Sequence, residues 1–238
     1  AIEESLYLRM LGHDPGDATE DAEAFLKENS LAVYYDEIAA RALLLAQADV
    51  NRGVLDLARQ QHVRDSIRGF VRDLSDPDAE RAAKARANLP PQWRGTPVLC
   101  IAGRGPLDEA AALLVLDVLS QHGVGARLIA ADEISAAQID MLQTTGVQLV
   151  CLCYLDPGTY KNARLQARRL RKQIPGVAVF TLFWGLAGDS SRYLDAVEAA
   201  ECDMVTTNLG ESVEQILKHI QQPGEPRPHS APEPEATA

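Results

Sequence analysis

The feature that most constrains this chain is a regular alternation beyond residue 97. Short apolar runs at 98–102, 127–130, 148–153, 177–182 and 203–206 are each followed by a segment with helical spacing. Strands joined through helices must cross over and run parallel, and the helices then cover both faces of the sheet. The order βαβαβαβαβα therefore predicts a five-stranded, doubly wound α/β domain over residues 98–222, flavodoxin-like, with strand order 2-1-3-4-5.

Residues 1–88 carry helical periodicity instead. Asp17 and Glu20 have the spacing of a capping box, and Ser30 is placed to cap a helix whose Leu31, Tyr35, Ile38, Ala42 and Leu45 form one stripe. Val63, Ile67, Phe70 and Leu74 repeat the stepping after a break at Asn51-Arg52-Gly53. A small antiparallel helical bundle is expected. Residues 89–97 hold Pro90, Pro91, Gly95 and Pro97, which cannot continue a helix and read as a linker. A length of 238 residues suits two cores better than one. The tail 223–238, with five prolines and no large apolar side chain, is expected to be disordered.

A net charge of −11 without a basic segment argues against nucleic acid as a partner. The longest apolar run, 110–116, is seven residues, whereas a membrane span needs roughly 18. The chain begins at Ala1 rather than Met and is expected to be a processed product or a piece of a longer protein. Its four cysteines show no Cys-x-x-Cys spacing and fit a reducing compartment. Cys151 and Cys153 are read as lying on one strand with their thiols on opposite faces, as packed core residues, so no metal site is expected.

In an open parallel sheet, ligands bind outside the carboxyl ends of the strands. That rule nominates Gly103, Arg104 and Gly105 after the first strand, Asp156 after the third, Trp184 and Gly185 after the fourth, and Asn208 after the fifth, as one ligand cleft. Gly103-Arg104-Gly105 lacks the third glycine of a dinucleotide fingerprint and reads as a tight turn. A phosphoacceptor receiver of this plan would need acids at 103 and 104 and a lysine after the fifth strand, so phosphotransfer is rejected. All five histidines lie outside these loops, which leaves no Ser-His or Cys-His pairing. Only Asp156, Asp189 and Glu211 offer carboxylates at the strand ends, and no enzymatic activity is expected. Lys161, Arg164, Arg168 and Lys172 lie along one side of the third crossover helix, a solvated face or a surface for an anionic partner or membrane.

Two resemblances attach to these residues. The stretch 96–218 resembles the cobalamin-binding fold, which carries Asp-x-His-x-x-Gly after the first strand. The matching Arg104-Gly105-Pro106-Leu107-Asp108-Glu109 puts Arg104 for the aspartate, Pro106 for the histidine and Glu109 for the glycine. Cys153-Tyr154-Leu155 and Trp184-Gly185 occupy the places of its Ser-x-Leu and paired-glycine elements, with Trp184 where the nucleotide tail would lie. Proline cannot ligate cobalt, so the resemblance implies a degenerate domain with no cofactor bound through that position.

The run Ala24-Phe25-Leu26-Lys27, Ser30-Leu31, Tyr34-Tyr35-Asp36-Glu37 and Ala42-Leu43-Leu44-Leu45-Ala46 resembles the soluble carboxyl-terminal extension of bacterial autoinducer-2-exporter-type permeases, with Arg41 in place of a proline. This second resemblance implies a non-catalytic regulatory or assembly domain at the cytoplasmic face of the inner membrane. Its partners would be the membrane domain of the same polypeptide and a second copy in a homodimer. The alternative is a sensor module binding a small molecule, a corrinoid among them. Asp36-Glu37 is read as a solvated helix flank.

Overall fold

The computed structural model describes residues 2–12, 22–74, 79–133, 142–186 and 189–221. The capping box at Asp17 and Glu20 and the tail lie outside them, as do His13 and His229.

The helical segment begins with α1 (Ile2–Leu11), followed by a short helical turn at 22–26. Helix α2 (Leu31–Tyr34) starts at Ser30, whose Oγ accepts the Val33 N–H at 3.3 Å, and passes through a π turn (Tyr35–Ala39) into α3 (Ala40–Asn51). Gly53, at φ 72°, ends that run where the Asn-Arg-Gly break is expected, since a left-handed residue closes a helix at little cost only as glycine. Helix α4 (Leu57–Leu74) buries Val63, Ile67 and Phe70, the predicted stripe, and α5 (Ala79–Ala87) follows.

Beyond the proline-rich segment the chain forms β1 (Val98–Ala102), α6 (Pro106–Gln121), β2 (Ala126–Ile129), β3 (Leu149–Tyr154), α7 (Tyr160–Gln173), β4 (Ala178–Phe183), α8 (Ser190–Ala200), β5 (Met204–Thr206) and α9 (Leu209–Gln221). All strand pairs are parallel, in the order β2-β1-β3-β4-β5. The protein thus has the doubly wound, flavodoxin-like α/β architecture that the alternation predicts, preceded by helices.

Alternate strand residues sort the core into two faces. Leu99, Ile101, Val150, Leu152, Tyr154, Val179 and Phe183 face α7 and α8. Val98, Cys100, Leu149, Cys151, Cys153, Phe180 and Leu182 face the other way, into a cluster that continues through α6 and α9 to Tyr34, Tyr35, Leu43 and Ile67 of the helical segment. The two hydrophobic clusters are therefore divided by the sheet itself.

This sorting corrects the cysteine reading. Residues i and i+2 of a strand share a face, because the side-chain period is two. Cys151 and Cys153 consequently point the same way, and Cys100, in register with Cys151 across β1, joins them. All three thiols are fully enclosed, and contact with Cys100 together with burial pushes those of Cys151 and Cys153 up. They remain core cysteines, and among the described residues no group of three or more His, Cys, Asp or Glu is arranged to hold a metal ion.

The π turn docks the helical segment. Tyr35 donates from its hydroxyl to Asp117 Oδ2 of α6 at 3.0 Å in a buried contact, and Asp36 Oδ1 accepts the Leu209 N–H at the start of α9 at 2.9 Å. Asp36, within the π turn, is therefore a cap for another helix rather than a solvated flank. Asp36→Ala is expected to cost about 0.5–2 kcal/mol, and Asp36→Asn less because it keeps an acceptor. Urea denaturation of the two variants checks this. Equal stability of Asp36→Ala and wild type would contradict the capping role.

Candidate functional site

The mouth of the sheet is built from the loops after β1, β3, β4 and β5. After β1, Gly105 is extended and Pro106 opens α6, where its missing N–H costs nothing. Asp108, in the first turn of α6, turns back to the loops. Its Oδ2 accepts the Arg104 N–H and its Oδ1 the Leu155 N–H, each at 2.8 Å. One carboxylate thereby ties the end of β1 to the end of β3, the pair where the strand order reverses.

Asp108 is only 6% exposed. Burial pushes its carboxyl up to about 6, against the opposing pull of the Leu155 and Arg104 N–H groups and the Arg104 charge, while Asp156 adds to the rise. An unfolded aspartate titrates near about 3.9. Between about pH 4 and about pH 6 the folded state holds more protons, so stability falls as pH rises through that window, by up to about 3 kcal/mol, and levels off above it. Asp108→Asn is expected to abolish this slope. It also strands one of the two N–H groups, because an amide offers one oxygen for two donors, and stability at pH 5 drops by about 1–3 kcal/mol. Urea unfolding of both proteins from pH 4 to 7.5 is the check, and identical slopes would refute it.

The other strand-end carboxylates are also engaged by backbone. Asp156 Oδ1 accepts the Gly158 N–H at 2.9 Å, and Asp189 Oδ1 that of Arg192 at 3.1 Å. Glu211 Oε2 accepts the Thr207 N–H at 2.8 Å while Asn208 Oδ1 accepts the Glu211 N–H at 2.7 Å, a capping box on α9. These acids are turn and helix caps.

The residues nominated from sequence divide into two groups. Arg104, Gly105 and Asp156 line one cleft of about 320 Å³. Its opposite wall belongs to the helical segment, with Gln47 and Asn51 from α3 and Gln60 from α4. Gly103 lies under the Tyr154 ring, so its lack of a side chain serves packing. Trp184 is 2% exposed and belongs to the core below α3, where its indole N–H points to Ser212 Oγ at 3.3 Å. Gly185 follows it in the same short turn, and Asn208 is the α9 cap. Periodicity carries no information on which helix residues will face a distant loop, and so Gln47, Asn51 and Gln60 gave no signal.

On α7, Arg164 and Arg168 pair with Glu201 at 2.8 and 2.7 Å, and Arg171 with Asp203 at 2.8 Å. Lys161 and Lys172 are exposed at the two ends of the row. Part of this basic stretch therefore has its counter-charge within the chain, at the end of α8 and the start of β5. Among the described residues no helix is long and apolar enough to cross a membrane.

The described histidines lie away from the mouth. His62 is on α4 with Nε2 3.0 Å from Gly12 O, His122 closes α6, and His219 packs its ring on Trp93 and Phe180. A corrinoid held through a lower axial ligand does not fit these residues. Pro106 has no lone pair to give, and a corrin macrocycle with its nucleotide tail is far larger than the cleft beside it.

No family model matches the chain, and no curated protein matches it. Among solved structures it is similar to a novel cobalamin-binding protein from Desulfitobacterium hafniense DCB-2, at 11% identity and a TM-score of 0.39, over 91% of this chain and 97% of that one.

Proposed function

We propose that this chain is a non-catalytic regulatory module in which a helical layer, docked on a flavodoxin-like layer, senses a small molecule at their seam. The observation that carries this reading is the position of the cleft. One wall is Arg104, Gly105 and Asp156 from the strand ends, and the other is Gln47, Asn51 and Gln60 from the helices. A ligand there touches both layers, and differential contact with two arrangements of the layers is what a regulatory response requires.

Both oxygens of Asp108 accept backbone N–H groups and the described histidines lie away from the mouth, which supports a non-catalytic role, because a general base needs a free lone pair aimed at substrate. The resemblance of residues 24–46 to permease extensions supports attachment to a membrane transporter, with the module on the cytoplasmic face of a bacterial inner membrane and the membrane domain of the same polypeptide as its partner. Self-association into a homodimer belongs to the same reading.

Sequencing the parent reading frame tests the attachment: six or more apolar spans ahead of this region are expected. A reading frame with none would remove the transporter and leave the sensor alone. In the full-length protein, Arg104→Ala is expected to alter regulation of transport while leaving the amount of folded transporter unchanged. Transport and its response identical to wild type would count against the seam as the regulatory site.

A further inference from the structure

We infer that the seam cleft takes a zwitterionic ligand of the α-amino acid class, an inference that rests on the binding-module reading above. The cleft is lined by one cation, Arg104, and by two acids: Asp108, whose oxygens are both taken by backbone N–H groups, and Asp156, which faces Arg104 without the two satisfying each other. Arg104 Nη1 stands 3.9 Å from Asp156 Oδ2, beyond hydrogen-bond reach, and the Arg104 side chain is 61% exposed. Asp156 uses its other oxygen on the Gly158 N–H, which fixes the carboxylate and leaves Oδ2 directed at the guanidinium.

A molecule carrying a carboxylate and an ammonium on adjacent atoms converts this loose pair into two charge-assisted contacts. Its carboxylate meets the Arg104 fork, and its ammonium meets Asp156 Oδ2. A plain dicarboxylate would bring an uncompensated negative charge beside Asp156 and the buried Asp108. A diamine would do the converse beside Arg104. The pattern of charges thus selects against both as well as for the zwitterion.

The helical wall is uncharged, with Val50 beside three amide side chains. Gln47 and Asn51 are bonded to each other at 2.9 Å, and Gln60 donates to Leu55 O at 3.1 Å, leaving amide groups that suit a polar side chain without adding charge. A cleft of about 320 Å³ is at the small end of ligand sites, in keeping with a single amino acid.

Isothermal titration calorimetry on the whole chain tests this, with each of the twenty L-amino acids, succinate, putrescine, ribose 5-phosphate and hydroxocobalamin as the probes. At least one polar L-amino acid is expected to bind at one site per chain, while succinate and putrescine do not. Arg104→Ala and Asp156→Asn are each expected to weaken binding by at least about tenfold, the effect of losing one charge-assisted hydrogen bond. Circular dichroism of both variants should match wild type, since Arg104 is exposed and an amide in place of the half-buried Asp156 still offers an oxygen to the Gly158 N–H.

Failure of every amino acid to bind, or binding that both substitutions leave intact, overturns the zwitterion inference. If another probe binds and Arg104→Ala abolishes that binding, the binding-module reading stands and the inference alone falls. If no probe binds at all, both fall.

Discussion

Gly103→Ala is expected to destabilise the protein by about 1–3 kcal/mol, and almost all of that loss should vanish when Tyr154 is truncated as well. A Cβ on Gly103 would lie 2.1 Å from Cε1 and 2.2 Å from Cδ1 of the Tyr154 ring, far inside contact distance. The ring has no easy retreat. It is 1% exposed, its hydroxyl donates to Gln166 Oε1 at 2.8 Å, and its ring centre lies 5.4 Å from that of the tilted Phe183 ring. Relief must therefore come from the β1–α6 loop, which Asp108 ties to β3. Tyr154→Ala alone should cost about 3–5 kcal/mol, as other buried aromatic truncations do. The double variant should be hardly less stable than Tyr154→Ala, giving a coupling energy near the whole cost of the methyl group. A urea-denaturation cycle over the four proteins measures it, and strictly additive losses would show that Gly103 is needed for a different reason.

That cycle bears on how the first loop is read. Gly-x-Gly after a first strand invites the thought that backbone amides approach an anion there. In this protein the first glycine makes room for an aromatic ring, and the Arg104 N–H is already given to Asp108. The start of α9 is similar, with the Leu209 N–H given to Asp36 and the Glu211 N–H to Asn208. Two places where a parallel sheet usually offers donors to a ligand are thus occupied by the chain's own carboxylates and amide.

The sheet was legible because its signal is local. Five apolar runs separated by helical segments leave few topologies, and the strands fall within about a residue of their expected limits. The stripe of Val63, Ile67 and Phe70 and the cap at Ser30 were legible for the same reason. The π turn at Tyr35–Ala39 was not, since Tyr-Asp-Glu-Ile-Ala holds no residue type that marks a widened turn. With it went the role of Asp36, whose partner is 173 residues away. Asp108 left a faint trace, an acid in the first turn of a helix opened by proline, but that trace says nothing of burial against β3. The face shared by Cys151 and Cys153 was fully determined by strand geometry. It was misread through the wrong period and not through missing information.

The contact between α4 and α6 leads to the second prediction, because it joins regions that the proline-rich segment separates in sequence. Ile67 is fully buried within the cluster that runs from Leu6 of α1 to Ile220 of α9 and includes Val98, Cys100 and Cys151 of the sheet. Arg64, one turn earlier on α4, pairs with Glu109 of α6 at 3.1 Å, and Tyr35 reaches Asp117 on the same helix. Ile67→Ala should cost about 2–5 kcal/mol through lost burial and the cavity left behind. If the helices and the sheet unfold as one unit, that loss must appear in both. Far-UV circular dichroism and tryptophan fluorescence should give one coincident urea transition in wild type and variant, with the midpoint lowered by about 1–2.5 M for a slope of about 2 kcal/mol per molar. Hydrogen exchange under native conditions supplies the residue-level reading. Protection in β1 and β3 should fall together with protection in α4, even though no strand residue has been changed. An independent helical domain predicts the opposite: α4 would melt first and the strands would keep their wild-type protection. A ligand at the seam would then act on the arrangement of two independently folding units, and its binding would leave the protection of α4 and of the strands uncoupled from each other.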